Sequence, residues 1–203
     1  MADVKLSIIY YSATGTVHAM AQRMAAAGAD KAGAQVRLRQ VPELAPDEAI
    51  ASNAAWSQHF DRTKNEAKAS ADDVVWADAV LFGSPTRYGN IASQLKQFID
   101  TLGPQWQQGL LADKVYAGFT ASMTAHGGQE STLLALYNTI YHFGGIVVAP
   151  GYTDPLKFAD GNPYGASHVT GGTNSDPLTD VQHAALDHLA VRAVTMAKRL
   201  KTG

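Results

Sequence analysis

Leu6-Ser7-Ile8-Ile9-Tyr10-Tyr11-Ser12-Ala13-Thr14-Gly15-Thr16-Val17 is the stretch that decides the fold. Leu6 to Tyr11 is an apolar run of strand length, Ser12 to Thr16 is a hydroxyl-rich turn, and an amphipathic segment opens at Val17. A strand, a short turn and a helix start make an anion site. The first N–H groups of a helix lack intrahelical partners, and the helix dipole adds positive character at the same end. The hydroxyls of Ser12, Thr14 and Thr16 can donate to the same anion, so a phosphate would be held with no lysine or arginine. The turn lacks G-x-x-x-x-G-K-[ST], so the outer phosphates of a nucleoside triphosphate have no lysine to meet. It also lacks G-x-G-x-x-G, so a pyrophosphate has no close backbone approach.

Outward from this stretch, strands and helices alternate, which points to an α/β fold with a parallel sheet. The strands read as Lys5 to Tyr11, Gln35 to Val41, Ala79 to Gly83, Val115 to Ala121 and Ile146 to Ala149. Several are nearly continuous apolar runs, as expected where helices cover both faces. Five such strands fit a doubly wound sheet. Val17, Met20, Ala21, Met24, Ala25 and Gly28 form one helical stripe, whose small residues suit close packing on a sheet. Ile91, Leu95, Phe98, Ile99 and Leu102 form a second, with Asn90 as its expected N-cap. Leu133, Leu134, Tyr137, Ile140 and Tyr141 form a third, stopped by Gly144-Gly145. A final helix is expected from Asp176-Pro177 to Leu200, with Pro177 in its first turn. Residues 42–72 read as loop with a short helix, and residues 150–176, with five glycines and three prolines, show no period. A loop of that length usually has a functional or interfacial role.

Composition narrows the function. The 203 residues suffice for one well-buried core, and no linker divides them, so a single domain over 1–203 is expected. A net charge of −2 gives no field for attracting nucleic acid or an anionic membrane. The chain carries no long apolar stretch and no secretory leader pattern, so a cytoplasmic location is expected. With no cysteine there are no disulfides, thiolate nucleophiles, iron–sulfur clusters or cysteine-bound zinc. Redox chemistry would need a bound cofactor. His183 and His188 stand about 140° apart on a helix, and His18 and His59 have no partner at ligand spacing, so no metal site is expected.

In a doubly wound sheet, ligands sit outside the carboxyl ends of the strands. Three loops here leave such ends: Ser12 to Val17; Ser84-Pro85-Thr86-Arg87-Tyr88-Gly89-Asn90; and Ser122-Met123-Thr124-Ala125-His126-Gly127-Gly128. Taken singly, each reads equally well as ordinary turn chemistry. Together they offer a phosphate nest, an aromatic beside a guanidinium, and an amide-rich loop. A ligand with a phosphate at one end and a flat polar ring at the other would use all three. His142, at the end of the third helix, reads either as a capping residue or as a donor near a ring carbonyl.

These loops resemble the flavodoxin-like FMN proteins, and specifically the NAD(P)H:quinone oxidoreductases named after WrbA, the tryptophan repressor-binding protein. The carriers are Tyr10-Tyr11-Ser12 leading to Gly15, Phe82 to Asn90, His126-Gly127-Gly128-Gln129-Glu130, Gly161-Asn162-Pro163-Tyr164-Gly165-Ala166 and Gly171-Gly172. The resemblance implies a five-stranded sheet of order 2-1-3-4-5, one FMN per subunit and a homotetramer, a dimer of dimers. By position it gives Ser12, Ala13, Thr14, Gly15, Thr16 and Val17 to the FMN phosphate. It sets Pro85, Thr86, Arg87, Tyr88 and Gly89 along the isoalloxazine, and Ser122, Met123, Thr124, Ala125, His126, Gly127 and Gly128 along its pyrimidine edge. His142 matches a catalytic histidine that reaches the flavin across a subunit interface. Trp106 matches a tryptophan on the substrate side, where Tyr88 would be a second flat wall. The implied activity is two-electron transfer from NADH or NADPH to a quinone. The alternatives are a flavodoxin-type electron carrier, usually far more acidic than this chain, and an FMN-binding regulatory protein without turnover. Thr14 stands where many members carry an aromatic residue associated with the nicotinamide cofactor, and the third loop is one residue longer than in some relatives.

Overall fold

Side chains along a strand point alternately to opposite faces of the sheet, and the first strand, β1 (Lys5–Tyr10), supplies both cores in this way. Leu6, Ile8 and Tyr10 enter one apolar cluster with Met20, Met24, Leu81, Phe119, Leu189 and Ala193. Ile9 and Tyr11 enter the other with Val80, Phe82, Leu95, Phe98, Tyr116 and Ile140. Apart from Lys5 at its start and buried Ser7, the strand is therefore apolar because both its faces are covered.

The computed structural model describes residues 3–202. After β1 come α1 (Thr16–Asp30), β2 (Gln35–Gln40), α2 (Asp47–Ala51), α3 (Ala54–Thr63), α4 (Ala71–Trp76) and β3 (Ala79–Pro85). These are followed by α5 (Ser93–Asp100), α6 (Gly103–Gln107), β4 (Val115–Ser122), α7 (Gln129–Phe143), β5 (Ile146–Val147), α8 (Leu156–Asp160), β6 (Ala166–Val169) and α9 (Asp180–Thr202). The sheet is parallel with order β2-β1-β3-β4-β5, the doubly wound flavodoxin-like arrangement expected from the sequence.

The fifth position differs from the expectation. β5 pairs only with Val115 and Tyr116 of β4, and the expected continuation to Ala149 does not form. The chain leaves the sheet and returns as β6, which pairs with Phe119 to Ser122. Buried Lys157 holds the excursion, pairing with Asp160 and donating to the Gly165 carbonyl at 3.1 Å. Tyr137 of α7 adds a second tie, donating to the Tyr164 carbonyl and accepting from Gly118 N.

Three further boundaries are corrected. Asn90 does not cap α5; it pairs with Arg87 across the loop, and Ala92 precedes the first helical residue. α9 begins at Asp180, so Pro177 lies outside it. Residues 42–72 hold two complete helices and the start of a third instead of one. On the opposite side of the sheet from α5 and α7, α1 and α9 are clamped by Asp187. Its carboxylate accepts from Arg23 Nε at 2.6 Å, Arg23 Nη2 at 2.5 Å and Lys31 Nζ at 2.6 Å.

Candidate functional site

Beyond β1, Tyr11 N donates to the Gly83 carbonyl at 3.0 Å, and the chain then turns sharply into α1. The turn is closed by Gly15 N donating to Ser12 Oγ at 3.1 Å, with Gly15 in the left-handed region at φ 106°. No side chain caps α1, and no acidic residue lies in its first turn. The first-turn N–H groups and the positive end of the dipole are thus left for a ligand.

The second and third loops pack as one unit. Thr86 N donates to the Ala121 carbonyl at 2.9 Å, which ties the end of β3 to β4. Thr132 Oγ1 lies 2.8 Å from Thr86 Oγ1 and 2.7 Å from the Gly128 carbonyl, joining both loops to the first turn of α7. Gly128 has φ 88°, and a Cβ there would lie 3.0 Å from Gly89 Cα, so only glycine fits without strain.

A fourth segment completes the site; it lies within residues 150–176, which the sequence marks as a functional or interfacial loop without singling out Thr170 or Asn174. β6 delivers Thr170, whose N–H donates to the Ser122 carbonyl at 2.8 Å. Thr170 Oγ1 donates to Asn174 Oδ1 at 2.6 Å, and Asn174 Nδ2 donates to Thr14 Oγ1 at 3.2 Å. The signal was present in Thr170-Gly171-Gly172-Thr173-Asn174, which has the same hydroxyl, glycine and amide character as the first loop.

These segments enclose a cavity of about 290 Å³. Ser12, Ala13, Thr14, Thr16 and Val17 line it from the first loop; Pro85, Thr86 and Arg87 from the second. Ser122, Met123, Thr124 and Gly127 come from the third, with Thr170 and Asn174 from the fourth. The wall holds one charged residue, Arg87, and no carboxylate, which suits an anionic ligand. Hydroxyls and uncapped amides lie at α1, and neutral polar groups at the third loop, so the donor set fits a phosphate-bearing flat molecule such as FMN.

Other expected residues lie off this wall. Gly15 shapes the turn from behind, and Tyr88, at φ 53°, has a fully exposed side chain. Gly89 and Gly128 hold the loops together, while Ala125 and His126 face outward. His142 and Trp106 are not brought to the cavity by this chain. From Gln129 to His142 α7 rises about 20 Å, which sets His142 at the end of the helix away from the cavity.

Two neighbouring cavities share residues with the first. One, of about 260 Å³, shares Ser12 and Ala13 and is walled by Trp56, Phe60, Lys64 and Lys68. Another, of about 600 Å³, shares Arg87 and lies between Trp56, Gln94 and Thr139. Glu43 stands between them. Burial works against its charge, but hydrogen bonds from Gln94, Tyr11 and the Ala45 and Leu44 amides outweigh this and hold its carboxyl below the usual range. Tyr11 is correspondingly raised, by burial first and by Glu43 second.

Residues 5–154 match the family described as NADPH-dependent FMN reductase. A Deinococcus radiodurans protein named NAD(P)H dehydrogenase (quinone) is 45% identical over 200 residues, covering 98% of each chain. A Sinorhizobium fredii protein of the same name is 38% identical, covering 97% of this chain and 98% of its own. Among solved structures, a WrbA-like flavodoxin from Agrobacterium tumefaciens aligns over 97% of this chain and 99% of its own, at 22% identity and a TM-score of 0.66. That likeness supports the fold. With the match extending from β1 through all three loops, the chain belongs to the NADPH-dependent FMN reductase family, and within it to the relatives named NAD(P)H dehydrogenase (quinone).

Proposed function

We propose that the cavity at the carboxyl ends of β1, β3 and β4 holds FMN, and that the protein is an NAD(P)H:quinone oxidoreductase reducing quinones to hydroquinones by two-electron, ping-pong transfer. The observation that carries this reading is a single carboxylate-free cavity, with an uncapped helix N-terminus on one wall and an amide-rich loop on another. The names of the relatives support the donor and acceptor classes. When bound, FMN supplies the hydride-accepting and hydride-donating centre between NADH or NADPH and the quinone.

The chain's own residues bind, orient and polarise. Ser12, Thr14 and Thr16 with the α1 amides hold the phosphate as an anchor, and the absent lysine fits a phosphate that is never transferred. The third loop, through the Ser122, Met123 and Thr124 segment that lines the cavity, would lie along the pyrimidine edge, where free backbone amides fixed beforehand would favour a negatively charged ring. Arg87 and Tyr88 stand at the ring side, where Tyr88 offers an aromatic face for a planar partner.

Trp106 and His142 enter this reading from a second copy. Trp106 and Tyr141 leave apolar surface uncovered near the end of α7, and Leu134 does so nearer its middle. A homotetramer, a dimer of dimers, would bring that surface and His142 to a neighbour's cavity, with His142 as a donor beside the ring. Quinones and the nicotinamide cofactor are the partners; nucleic acid is not. Among the described residues no helix is long and apolar enough to cross a membrane. The reading places the enzyme in the cytoplasm.

The test is one titration. Purified protein is titrated with FMN and followed by absorbance, then mixed anaerobically with NADH or NADPH, then with a benzoquinone. Stoichiometric binding, bleaching by the nicotinamide donor and recovery by the quinone are expected. FMN that binds but is reduced by neither donor without a protein reductase would support the electron-carrier alternative.

A further inference from the structure

His59 is one of two buried residues of α3, with Thr63; it is 2% exposed and lies between Trp56 and Phe60, which wall the neighbouring cavity. It lies directly behind the first loop: a Cβ built on Gly15 would be 3.4 Å from His59 Nδ1. Its Nε2 is buried with no hydrogen-bond partner. A buried polar atom without a partner costs about 1–3 kcal/mol, so its retention here needs a reason.

His59 is also part of a cluster. Its ring meets His18 of α1 edge-on, with centroids 5.2 Å apart. His18 Nδ1 is 2.6 Å from Tyr10 Oη on β1 and 3.7 Å from Glu66 Oε2. Tyr10 Oη donates to Glu66 Oε2 at 3.2 Å, so the short contact is completed when His18 Nδ1 carries a hydrogen and donates to Tyr10. The charged groups facing the pair are Arg62 of α3 and, from the segment leading to α4, Lys68 and Glu66. Burial, then His18, Arg62 and Lys68, push His59 down to about 4. Burial lowers His18 as well, with Glu66 opposing and Arg62 assisting. Among the described residues, the one carboxylate facing these two cations is Glu66, which pairs with His18 and leaves His59 without a counter-charge.

A phosphate held at the α1 amides would supply negative charge on the open side of the Gly15 turn. We propose that His59, together with His18, forms a proton site beneath the phosphate loop, so that binding of the phosphate-bearing cofactor takes up a proton and is tightened by it. The inference rests on the FMN reading and adds a residue pair to it. Neither histidine touches the cavity wall; the pair acts through the loop as positioning residues. Its effect is electrostatic, since a unit charge separated from a dianion by one turn of backbone in a partly dry site interacts strongly. By linkage, a proton bound on loading makes the dissociation constant fall as pH falls, by up to about tenfold per pH unit.

The test uses the full chain freed of FMN, with FMN and riboflavin as probes; the two share a ring and differ in the phosphate. Histidine ring resonances of the wild type are titrated between about pH 3 and 8, a range that takes in the lowered His59 value and the ordinary imidazole one. The His59 midpoint is expected to rise on adding FMN and to stay put with riboflavin. Calorimetry in two buffers of different ionisation heat then reads protons exchanged per FMN in wild type and His59→Phe. The phosphate ester itself titrates near pH 6, so the two proteins are compared at one pH. The wild type should take up a larger fraction of a proton, up to about one. FMN bound stoichiometrically with unmoved histidine midpoints overturns this inference and leaves the FMN reading standing. No FMN binding at any pH overturns both.

Discussion

The indole Nε1 of Trp106 donates to the main-chain carbonyl of His142 at 2.7 Å. That carbonyl belongs to the last turn of α7, where helical carbonyls have no intrahelical partner, so Trp106 serves as a side-chain cap for the helix whose last turn carries His142. One residue thus ties down the backbone of another that is proposed to act in a neighbouring cavity. Trp106→Phe keeps the ring and loses the donor. It should cost about 0.5–1.5 kcal/mol of stability in urea. Trp106→Ala, which also removes the flat wall, should reduce quinone turnover more than it weakens FMN binding. An equal loss in both would make the tryptophan a support for the fold instead of a substrate wall.

Thr16 opens α1, lines the cavity and has no acidic neighbour in the first turn. Thr16→Glu puts a carboxylate where the phosphate is proposed to sit, and a like charge in a partly dry site repels strongly. The same carboxylate favours the helix N-terminus, so the fold should survive. The expected protein is folded by circular dichroism and colourless after purification. A yellow, stoichiometric Thr16→Glu protein would remove the phosphate from this turn.

The central strands were legible because strands covered on both faces are mainly apolar, as Leu6 to Tyr10, Ser7 apart, and Val80 to Phe82 are; β2 was legible from its alternation of Val36 and Leu38 with Arg37 and Arg39. β6 was not, because Ala-Ser-His-Val carries little apolar signal and becomes a strand only through the edge of β4 that β5 leaves free. The three loops were readable as turn chemistry next to strands. Asn174 was not, since it reaches Thr14 only after β6 has brought Thr170 onto the Ser122 carbonyl. His18 and His59 likewise have no local pattern that joins them. Their contact comes from packing α3 against the start of α1, in a region whose helices are short and mixed in polarity.

Asn174 offers a direct check on the fourth segment. Its backbone is left-handed at φ 55°, and its amide connects Thr170 to Thr14. Asn174→Gly preserves access to that backbone conformation and deletes the amide. Losing one positioning hydrogen bond is worth about 1 kcal/mol, so the FMN dissociation constant should rise roughly fivefold. Fluorescence quenching of FMN measures it. An unchanged constant would mean that Thr14 is held in place by its own backbone alone.

Glu43 predicts a dependence of stability on pH. Oε2 accepts from Tyr11 Oη at 2.8 Å and Trp56 Nε1 at 3.0 Å; Oε1 accepts from Gln94 Nε2 at 2.6 Å and from the Leu44 and Ala45 amides at 2.8 and 3.0 Å. Five donors on one carboxylate favour the charged form, and the folded pKa lies below the ordinary glutamate value despite partial burial. The unfolded chain then binds the proton first as pH falls. The stabilisation from the charge is fully present above the unfolded value, about 4.3, and is lost as pH drops through the lower folded value. Glu43→Gln turns one acceptor into a donor facing donors, at a cost of about 1–2 kcal/mol near neutral pH. Urea midpoints of both proteins should therefore stay a constant distance apart from about pH 8 to 5 and converge below about pH 4.3. A gap that persists undiminished at lower pH would assign the stabilisation to shape instead of charge.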